Sequence, residues 1–344
     1  MDTSRRPVVL IWELTQACEL TCDHCRADAQ PERHPDELTT REGKRLLEQA
    51  RGFSEGQLVV LSGGDPLKRE DAVELVEYGD EIGLRVTMTP SGTTSLTTEN
   101  VRRLADAGLR RMALSIDGAT PETHDGFRGE EGSFDETVRA AADARAVGLP
   151  LQINTTVCAS TVDELSEIAE LVDELDAVLW SVFFLVPVGR GALLDSVTPE
   201  RAELAMEWLH DVSEERSFAV KTTEAPHYRR VGVQRAEGDA GTSRRAGVTA
   251  GDGFAFVSHK GDVYPSGFLP LSAGNVREES VVDIYRNADM FRRLRDPDEL
   301  RGKCGACEYR ALCGGSRSRA YAETGDPFGT DPLCVYVPDG YDDA

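Results

Sequence analysis

The stretch VVLIWELTQACELTCDHC, residues 8–25, joins an apolar strand to a loop with three closely spaced cysteines. Its first half is rich in β-branched and other apolar residues, which favours a buried strand over residues 8–14. The cysteines, separated by three and two residues, are Cys18, Cys22 and Cys25. Three soft thiolates suit an iron-sulfur cluster, and three ligands for four irons leave one iron open to a further ligand.

The same spacing allows a structural zinc site, in which His24 or His34 would be the fourth ligand. The eight cysteines of the chain fall into two groups and a single Cys158, which we expect to be buried and inert. The N-terminal residues carry no signal-peptide pattern, so we expect a cytoplasmic protein. In that compartment grouped cysteines indicate metal ligands before they indicate disulfides.

Strand-like apolar runs alternate with helix-like amphipathic runs from about residue 8 to residue 216. The predicted strands are Val8–Leu14, Leu58–Ser62, Arg85–Thr89, Arg111–Ile116, Leu151–Val157 and Leu179–Val186. Helix starts are indicated by Ser or Thr with Glu three residues later, or by Thr before Pro. These starts are Thr39, Ser133, Thr161 and Thr198. Successive βα units with right-handed crossovers predict an α/β fold, a partial (βα)6 TIM-like barrel with functional residues at the C-terminal ends of its strands.

The alternation is predicted to fail after about residue 217, where a hairpin over residues 254–264 and short helices follow. We therefore expect a barrel over residues 1–216, a connecting segment over 217–253 and a small α+β iron-sulfur module over 254–344. The module contains four cysteines, Cys304, Cys307, Cys313 and Cys334. Four thiolates would close a cluster completely and suit electron transfer or stabilisation, although structural zinc fits the same pattern.

The composition narrows the classes of partner. The formal net charge is −23, with 61 acidic residues against 38 basic ones, of which only five are lysine. Nucleic acid and membrane are therefore not expected as partners, because both are bound through clustered cations. A lysine-poor acidic surface is also what a very salty cytoplasm would favour.

These motifs resemble the radical S-adenosylmethionine (SAM) superfamily over nearly the whole chain. The resemblance implies that Cys18, Cys22 and Cys25 are the catalytic cluster ligands, that the open iron binds SAM, and that reductive cleavage of SAM yields a 5′-deoxyadenosyl radical. Ser62-Gly63-Gly64-Asp65-Pro66 is similar to the family's GGE motif, with Asp in place of Glu.

Further SAM contacts are implied at the ends of later strands. Asp117 could equally cap the following helix, and Arg128 would pair with the methionine carboxylate. The implied cofactor-binding residues are Gly63, Gly64, Asp65, Ser91, Ser115, Asp117, Arg128, Asn154, Thr156 and Gly189.

The C-terminal module resembles the SPASM domain, in which four cysteines hold an auxiliary cluster. Two cysteines expected of a further auxiliary cluster are replaced by Ser266 and Arg317. The resemblance therefore implies two 4Fe-4S clusters in the chain, one that binds SAM and one auxiliary.

Segments such as Trp12-Glu-Leu-Thr15 and Gly267-Phe-Leu-Pro270 resemble the branch of Fe-coproporphyrin III decarboxylases, with its haem d1 and PqqE relatives. That resemblance implies oxidative decarboxylation of tetrapyrrole propionates, with an electron donor such as ferredoxin or flavodoxin. The weaker candidates for substrate contact are His227, Arg229 and Arg230. His227 could be an axial haem ligand or proton carrier, and the arginines could pair with propionates.

Two alternatives remain open. A SPASM-type maturase of a ribosomal peptide is the main one, although the few residues before the first strand leave no room for a peptide-binding module and favour a small molecule. A non-catalytic metal-cluster scaffold is the other, and it would require the SAM-contact motifs to be accidental.

Overall fold

The computed structural model describes residues 2–236 and 248–341. Its strands are β1 Val9–Glu13, β2 Leu58–Ser62, β3 Arg85–Met88, β4 Met112–Ser115, β5 Leu151–Val157, β6 Leu179–Phe184, β7 Ala219–Thr223, β8 Thr249–Ala250, β9 Gly253–Val257, β10 Asp262–Tyr264 and β11 Gly274–Asn275. The helices of the first part are α1 Thr40–Arg51, α2 Ala72–Glu81, α3 Thr98–Asp106, α4 Pro121–Arg128, α5 Ser133–Ala146, α6 Leu165–Glu174, α7 Pro199–Glu215 and α8 His227–Arg235. The later helices are α9 Val281–Asn287, α10 Asp289–Leu294, α11 Gly302–Ala306 and α12 Arg317–Thr324.

One sheet runs through the molecule in the order β11-β10-β9-β1-β2-β3-β4-β5-β6-β7, with β8 paired to β9 outside this path. Strands β1 to β7 are parallel neighbours, and helices connect most of them. The predicted α/β fold class with a partial barrel is confirmed, and all six predicted strands are present.

The sheet extends beyond the predicted barrel on both sides. β7 pairs in parallel with β6 and leads into α8, so the βα alternation continues for one more unit inside the predicted connecting segment 217–253. β9 pairs in parallel with β1, so the C-terminal module contributes its first hairpin to the same sheet. The loop predicted over residues 235–253 lies partly outside the described residues.

The main core lies between the outer face of the sheet and the helices. Trp12 of β1 is fully buried and packs so closely on α1 that a side chain at Gly43 would lie 2.4 Å from its ring. Trp180 of β6 is also fully buried, with Trp208 and Phe218 edge-on to it. Because strand side chains alternate, Glu13 next to Trp12 lies on the concave face of the sheet.

The predicted helix starts are partly confirmed. Thr39 forms a capping box with Glu42, and Thr198 caps α7 ahead of Pro199. Ser133 is instead the first residue of α5, and Thr161 precedes a short 3-10 turn without a side-chain cap. Among the described residues, no helix is both long and apolar enough to cross a membrane.

Candidate active site

The first cysteine group lies in the loop after β1, at the C-terminal edge of the sheet. Cys18 and Cys22 are buried and Cys25 is half-buried. The Cys18 sulfur lies 3.6 Å from Ser91 Oγ, in the loop after β3. The Ala29 amide donates a hydrogen bond of 3.5 Å to the Cys25 sulfur. Three thiols of one loop, with N–H and hydroxyl groups turned toward them, fit the ligand set of an iron-sulfur cluster with one open iron.

Two glycines of the β2 loop bring backbone against this cysteine loop. Gly63 has φ +145°, and a Cβ there would lie 2.4 Å from Thr15 O. A Cβ at Gly64 would lie 2.3 Å from Ala17 O. The amide of Gly64 donates to Thr15 O at 2.8 Å, and that of Asp65 donates to Ala17 O at 2.7 Å. The Gly-Gly pair therefore allows the backbone of the β2 loop to pack closely against the backbone of the cysteine loop.

Substitution of Gly64 tests this approach. We expect Gly64→Ala to destabilise the protein by about 1–3 kcal/mol, because the methyl group collides with backbone atoms that cannot rotate away. SAM binding should weaken with it. Gly126→Ala in α4 is the control, since a Cβ at Gly126 meets nothing within 4 Å and should stabilise by about 0.5–1 kcal/mol. Urea unfolding and SAM titration of both variants measure the effects, and equal behaviour would contradict the role given to Gly64.

The carboxylate of Asp65 is turned inward. It is fully buried and accepts hydrogen bonds from Leu67 N at 3.1 Å, Ser91 N at 3.4 Å and Thr93 Oγ1 at 3.0 Å. Burial raises its pKa. In this structure the carboxylate joins the loops after β2 and β3, and its predicted contact with the methionine ammonium stays a prediction. Ser91 in turn donates its hydroxyl to Gly64 O at 3.1 Å.

Asp117 and Arg128 form a buried ion pair beside the cysteines. Arg128 Nε lies 2.9 Å from Asp117 Oδ2, and Arg128 Nη1 donates to the Cys22 sulfur at 3.5 Å. The second oxygen of Asp117 accepts from Thr156 N at 2.6 Å. Burial opposes ionisation of Asp117, but Arg128, the two nearby histidines and the Thr156 amide together outweigh burial and lower the pKa. Asp117 does not cap α4, whose N-cap is Thr120; it orients Arg128 toward the cysteine loop.

Removal of the Asp117 carboxylate should be costly. Asp117→Asn would leave the buried Arg128 guanidinium without its counter-charge, and we expect a loss of about 3–5 kcal/mol in the free energy of unfolding. Asp163→Asn, which breaks the exposed pair with Arg201, should cost less than about 1 kcal/mol. Urea unfolding of both variants measures the difference. A similar small loss in both would show that the buried pair does not hold Arg128.

The remaining predicted SAM contacts lie on strands β4 and β5 and in the loop after β6. Ser115 and Asn154 are register partners on β4 and β5, and Asn154 accepts from Gln152 Nε2 at 2.7 Å. Gly189 instead packs on the cysteine loop, where a Cβ would lie 2.5 Å from Cys25 O. The next residue, Arg190, was not predicted, yet its Nε donates to Cys22 O at 2.9 Å.

The second cysteine group surrounds a small void of about 20 Å³. The four thiols that line it are those of Cys304, Cys307, Cys313 and Cys334. Arg317, which stands where the SPASM resemblance implies a cysteine, donates from Nη2 to the Cys304 sulfur at 3.4 Å. The Gly315 amide donates to the Cys313 sulfur at 3.5 Å. A shared void, four thiols and outer N–H donors fit a closed iron-sulfur cluster.

His227 and Arg230 lie beside this second cysteine group, and their predicted role as substrate contacts stays a prediction. His227 is fully buried, with Nε2 3.2 Å from Asp331 Oδ2. Burial lowers its pKa, but Asp331 outweighs burial and raises the pKa to about 9. In this structure the His227 ring is therefore held by Asp331 beside the second cysteine group. Arg230 is buried against Glu203 and lines the void.

Arg229 is similarly engaged. Its guanidinium donates to Leu312 O at 2.9 Å and to Val248 O at 2.7 Å. These bonds join α8 to the second cysteine group and leave the predicted propionate contact unsupported. Cys158, in contrast, is buried in a small apolar cluster with Phe127 and Leu185, as predicted.

A buried triad at the end of β1 was not predicted. Glu13 accepts from Arg26 Nη2 at 2.6 Å and lies 2.7 Å from His259 Nδ1. Burial opposes ionisation of Glu13, but Arg26 and His259 outweigh burial and lower the pKa to about 2. The Arg26 guanidinium also lies over the Phe256 ring, 4.6 Å from its centroid. The only sequence signal was the Trp-Glu-Leu-Thr run before the cysteines, which gave no sign of the distant His259.

The fold is a partial barrel, and a loop with three cysteines lies at the C-terminal edge of its sheet. A glycine-rich loop packs against this cysteine loop, and together these features define a class of enzyme. A family model for the Radical SAM superfamily matches residues 12–172, and a model for SPASM, an iron-sulfur cluster-binding domain, matches residues 249–308. The chain belongs to the radical SAM superfamily. It is a radical redox enzyme whose cofactors are 4Fe-4S clusters and SAM. This assignment excludes the two alternatives of a zinc site and a non-catalytic scaffold.

Several curated proteins are similar over most of their length. The AdoMet-dependent heme synthase of Methanosarcina barkeri is 43% identical, with 96% of this chain and 97% of that protein covered. That of Oleidesulfovibrio alaskensis is 40% identical, with 96% and 87% covered. Mycofactocin maturase MftC of Mycobacterium tuberculosis is 32% identical, with 96% and 83% covered. Among solved structures, Streptococcus suis SuiB bound to S-adenosylmethionine has a TM-score of 0.77 at 17% identity over 96% of this chain and 78% of SuiB, which supports the fold.

Proposed function

We propose that this chain is an AdoMet-dependent heme synthase that converts Fe-coproporphyrin III into haem b. The observation that carries the proposal is its 43% identity to the heme synthase of Methanosarcina barkeri across 96% of this chain and 97% of that relative. A Fe-coproporphyrin III synthase of the same organism is also similar, at 28% identity. The substrate is therefore a small molecule, and the reaction takes place in the cytoplasm.

The residues of the first cysteine group and its neighbours would form the SAM-binding site. Cys18, Cys22 and Cys25 would hold the SAM-binding cluster, and Arg128, oriented by Asp117, presents a fixed positive charge beside them. When bound, the cluster would supply one electron to SAM, and cleavage of SAM would give methionine and a 5′-deoxyadenosyl radical. The arginine charge suits the methionine carboxylate, as its planar donor fork matches two oxygens.

The reaction at each propionate balances without a general base. A hydrogen atom leaves the propionate β-carbon and becomes part of 5′-deoxyadenosine. The carbon-carbon bond to the carboxylate then breaks, and carbon dioxide, a vinyl group and one electron are released. The electron would pass to an external one-electron acceptor, for which the cluster that the four C-terminal cysteines would hold offers a route. A reduced ferredoxin or flavodoxin is proposed as the donor of the initiating electron. Two such reactions convert two propionates into the two vinyl groups of haem b.

A peptide maturase is the second candidate, favoured by the 32% identity to mycofactocin maturase MftC and 30% identity to the PqqA peptide cyclase of Rhizobium meliloti. Both values are well below that of the heme synthase relatives.

The proposal is tested by anaerobic reconstitution with iron and sulfide, followed by reduction in the presence of SAM and Fe-coproporphyrin III. Formation of 5′-deoxyadenosine together with haem b, at about two molecules of deoxyadenosine per haem, is the expected result. Deoxyadenosine without haem would contradict the proposed substrate and leave the radical SAM assignment intact. Iron-free coproporphyrin III is the matched control substrate.

A further inference from the structure

The concave face of the sheet carries two cations that the proposed chemistry has not yet used. On β7, Val220 packs against the outer core, so the alternating Lys221 lies on the opposite, concave face. On β4, Met112 and Leu114 are fully buried in the outer core, so Arg111, directly before the strand, lies on the concave face as well. Both side chains therefore belong to the barrel interior.

Lys221 lies at the level of the candidate SAM contacts. Strand register aligns it with Ser181 of β6, which is aligned with Asn154 of β5, and Asn154 is aligned with Ser115 of β4. On the same face, the Gln152 and Asn154 amides are hydrogen bonded to each other. The interior wall across these strands is thus polar, and Lys221 adds a positive charge at the level of the candidate SAM contacts.

The two cations have no counter-charge in the described part of the chain. Within residues 2–236 and 248–341, neither Arg111 nor Lys221 has a carboxylate within 4.0 Å, although the protein carries 61 acidic residues against 38 basic ones. Lys44 and Lys68, in contrast, are each paired with a glutamate. Two like charges on one wall of a barrel repel each other, and an acidic protein could readily have neutralised them.

Their surroundings strengthen this repulsion. Burial, and then the charges of Arg111 and Arg229, lower the pKa of Lys221. The Lys221 side chain is nonetheless exposed to solvent, and Arg111 is half-buried. Cations that lie on the concave face, lack a counter-charge and can be reached from solvent are placed to receive an anion.

We propose that Arg111 and Lys221 bind propionate carboxylates of the tetrapyrrole substrate inside the barrel. The inference rests on the proposed function, since Fe-coproporphyrin III carries four propionates, and two of them remain unreacted and can serve as anchors. Arg111 offers a planar pair of donors to both oxygens of one carboxylate, and Lys221 offers a compact charge. Both are binding residues, and neither exchanges a proton in the reaction.

The test is an absorbance titration of the reconstituted enzyme with Fe-coproporphyrin III and with its tetramethyl ester, which has no carboxylate charge. Arg111→Gln and Lys221→Gln should each weaken Fe-coproporphyrin III binding about ten- to hundredfold, the range expected for loss of one charge-assisted hydrogen bond. Binding of the ester should be weak and alike in all proteins. Lys221→Arg, which keeps the charge, should retain most of the affinity.

The controls are Lys44→Gln and Arg102→Gln, which remove a lysine and an arginine paired with glutamates outside the barrel interior and should leave substrate affinity unchanged. Unfolding midpoints should not fall in the interior variants, because each substitution relieves repulsion. If the wild type binds Fe-coproporphyrin III and the interior variants bind it equally well, the inference is overturned and the proposed function stands. If the wild type cleaves SAM but does not bind Fe-coproporphyrin III, the proposed function fails and the inference fails with it.

Discussion

Cys22→Ser is expected to reduce 5′-deoxyadenosine formation to background and to lower bound iron from about eight to about four atoms per chain. The Cys22 sulfur is buried and accepts a hydrogen bond from Arg128, and its backbone carbonyl accepts another from Arg190. A serine hydroxyl at this position is a poor ligand for iron, so two thiolates would remain for a cluster that needs three. The variant should still fold, because the loop keeps its backbone bonds to the β2 loop.

The matched control is Cys158→Ser. Cys158 is buried like Cys22, but it lies in an apolar cluster with Phe127 and Leu185, and its sulfur lies near the hydroxyls of Ser160 and Thr161. Iron content and SAM cleavage should be unchanged in this control. Iron analysis and chromatographic detection of deoxyadenosine measure both variants. Full activity of Cys22→Ser would remove this cysteine from the ligand set.

Cys313→Ser is expected to abolish haem formation without abolishing SAM cleavage. Bound iron should fall to about four atoms per chain while SAM binding and deoxyadenosine formation persist, because the first cysteine group is intact. Burial raises the pKa of the Cys313 thiol to about 12, so a metal is needed to hold it as thiolate. Haem formation should fall to background, since a closed four-thiolate cluster supplies one-electron transfer. Unchanged iron content would show that Cys313 is not a ligand.

This second prediction also separates a redox role from a structural one. If Cys313→Ser loses haem formation together with SAM binding and folded structure, the auxiliary site mainly stabilises the fold of residues 304–334. If haem alone is lost, the site takes part in electron transfer. Circular dichroism and SAM titration, measured beside iron content, distinguish the two cases. Cys158→Ser again serves as the control.

The sequence predicted the barrel well because its strands are short apolar runs between recognisable helix starts. It missed β7, since Ala219–Thr223 is an edge strand with a lysine and two threonines and only one side chain packed in the core. It placed a capping box at Ser133, but Gly132 with φ +85° takes the N-cap position instead. Both failures concern places where neighbouring elements, and not local residue preferences, determine the backbone.

The cysteine loop could be predicted because its three cysteines are close together in sequence. The side chains that surround the loop could not be predicted, because they come from distant parts of the chain. The burial of Asp65 depends on loops after two different strands, which a linear pattern does not contain. His227 was assigned to the substrate because its ion-pair partner, Asp331, lies in a distant part of the chain. The pair of Arg111 and Lys221 was hidden for the same reason, since only the register of four strands brings them to one face.

The pairing of β9 with β1 has a consequence for biosynthesis. β2 can join one edge of β1 soon after β1 is made, but the other edge of β1 waits for residues 254–257, which are made after β2 to β7. During that interval the ribosome-bound chain carries an open strand edge next to three unprotected thiols, a state prone to aggregation and oxidation. We therefore expect cluster insertion to be most efficient after release of the finished polypeptide, when the last strand has covered that edge.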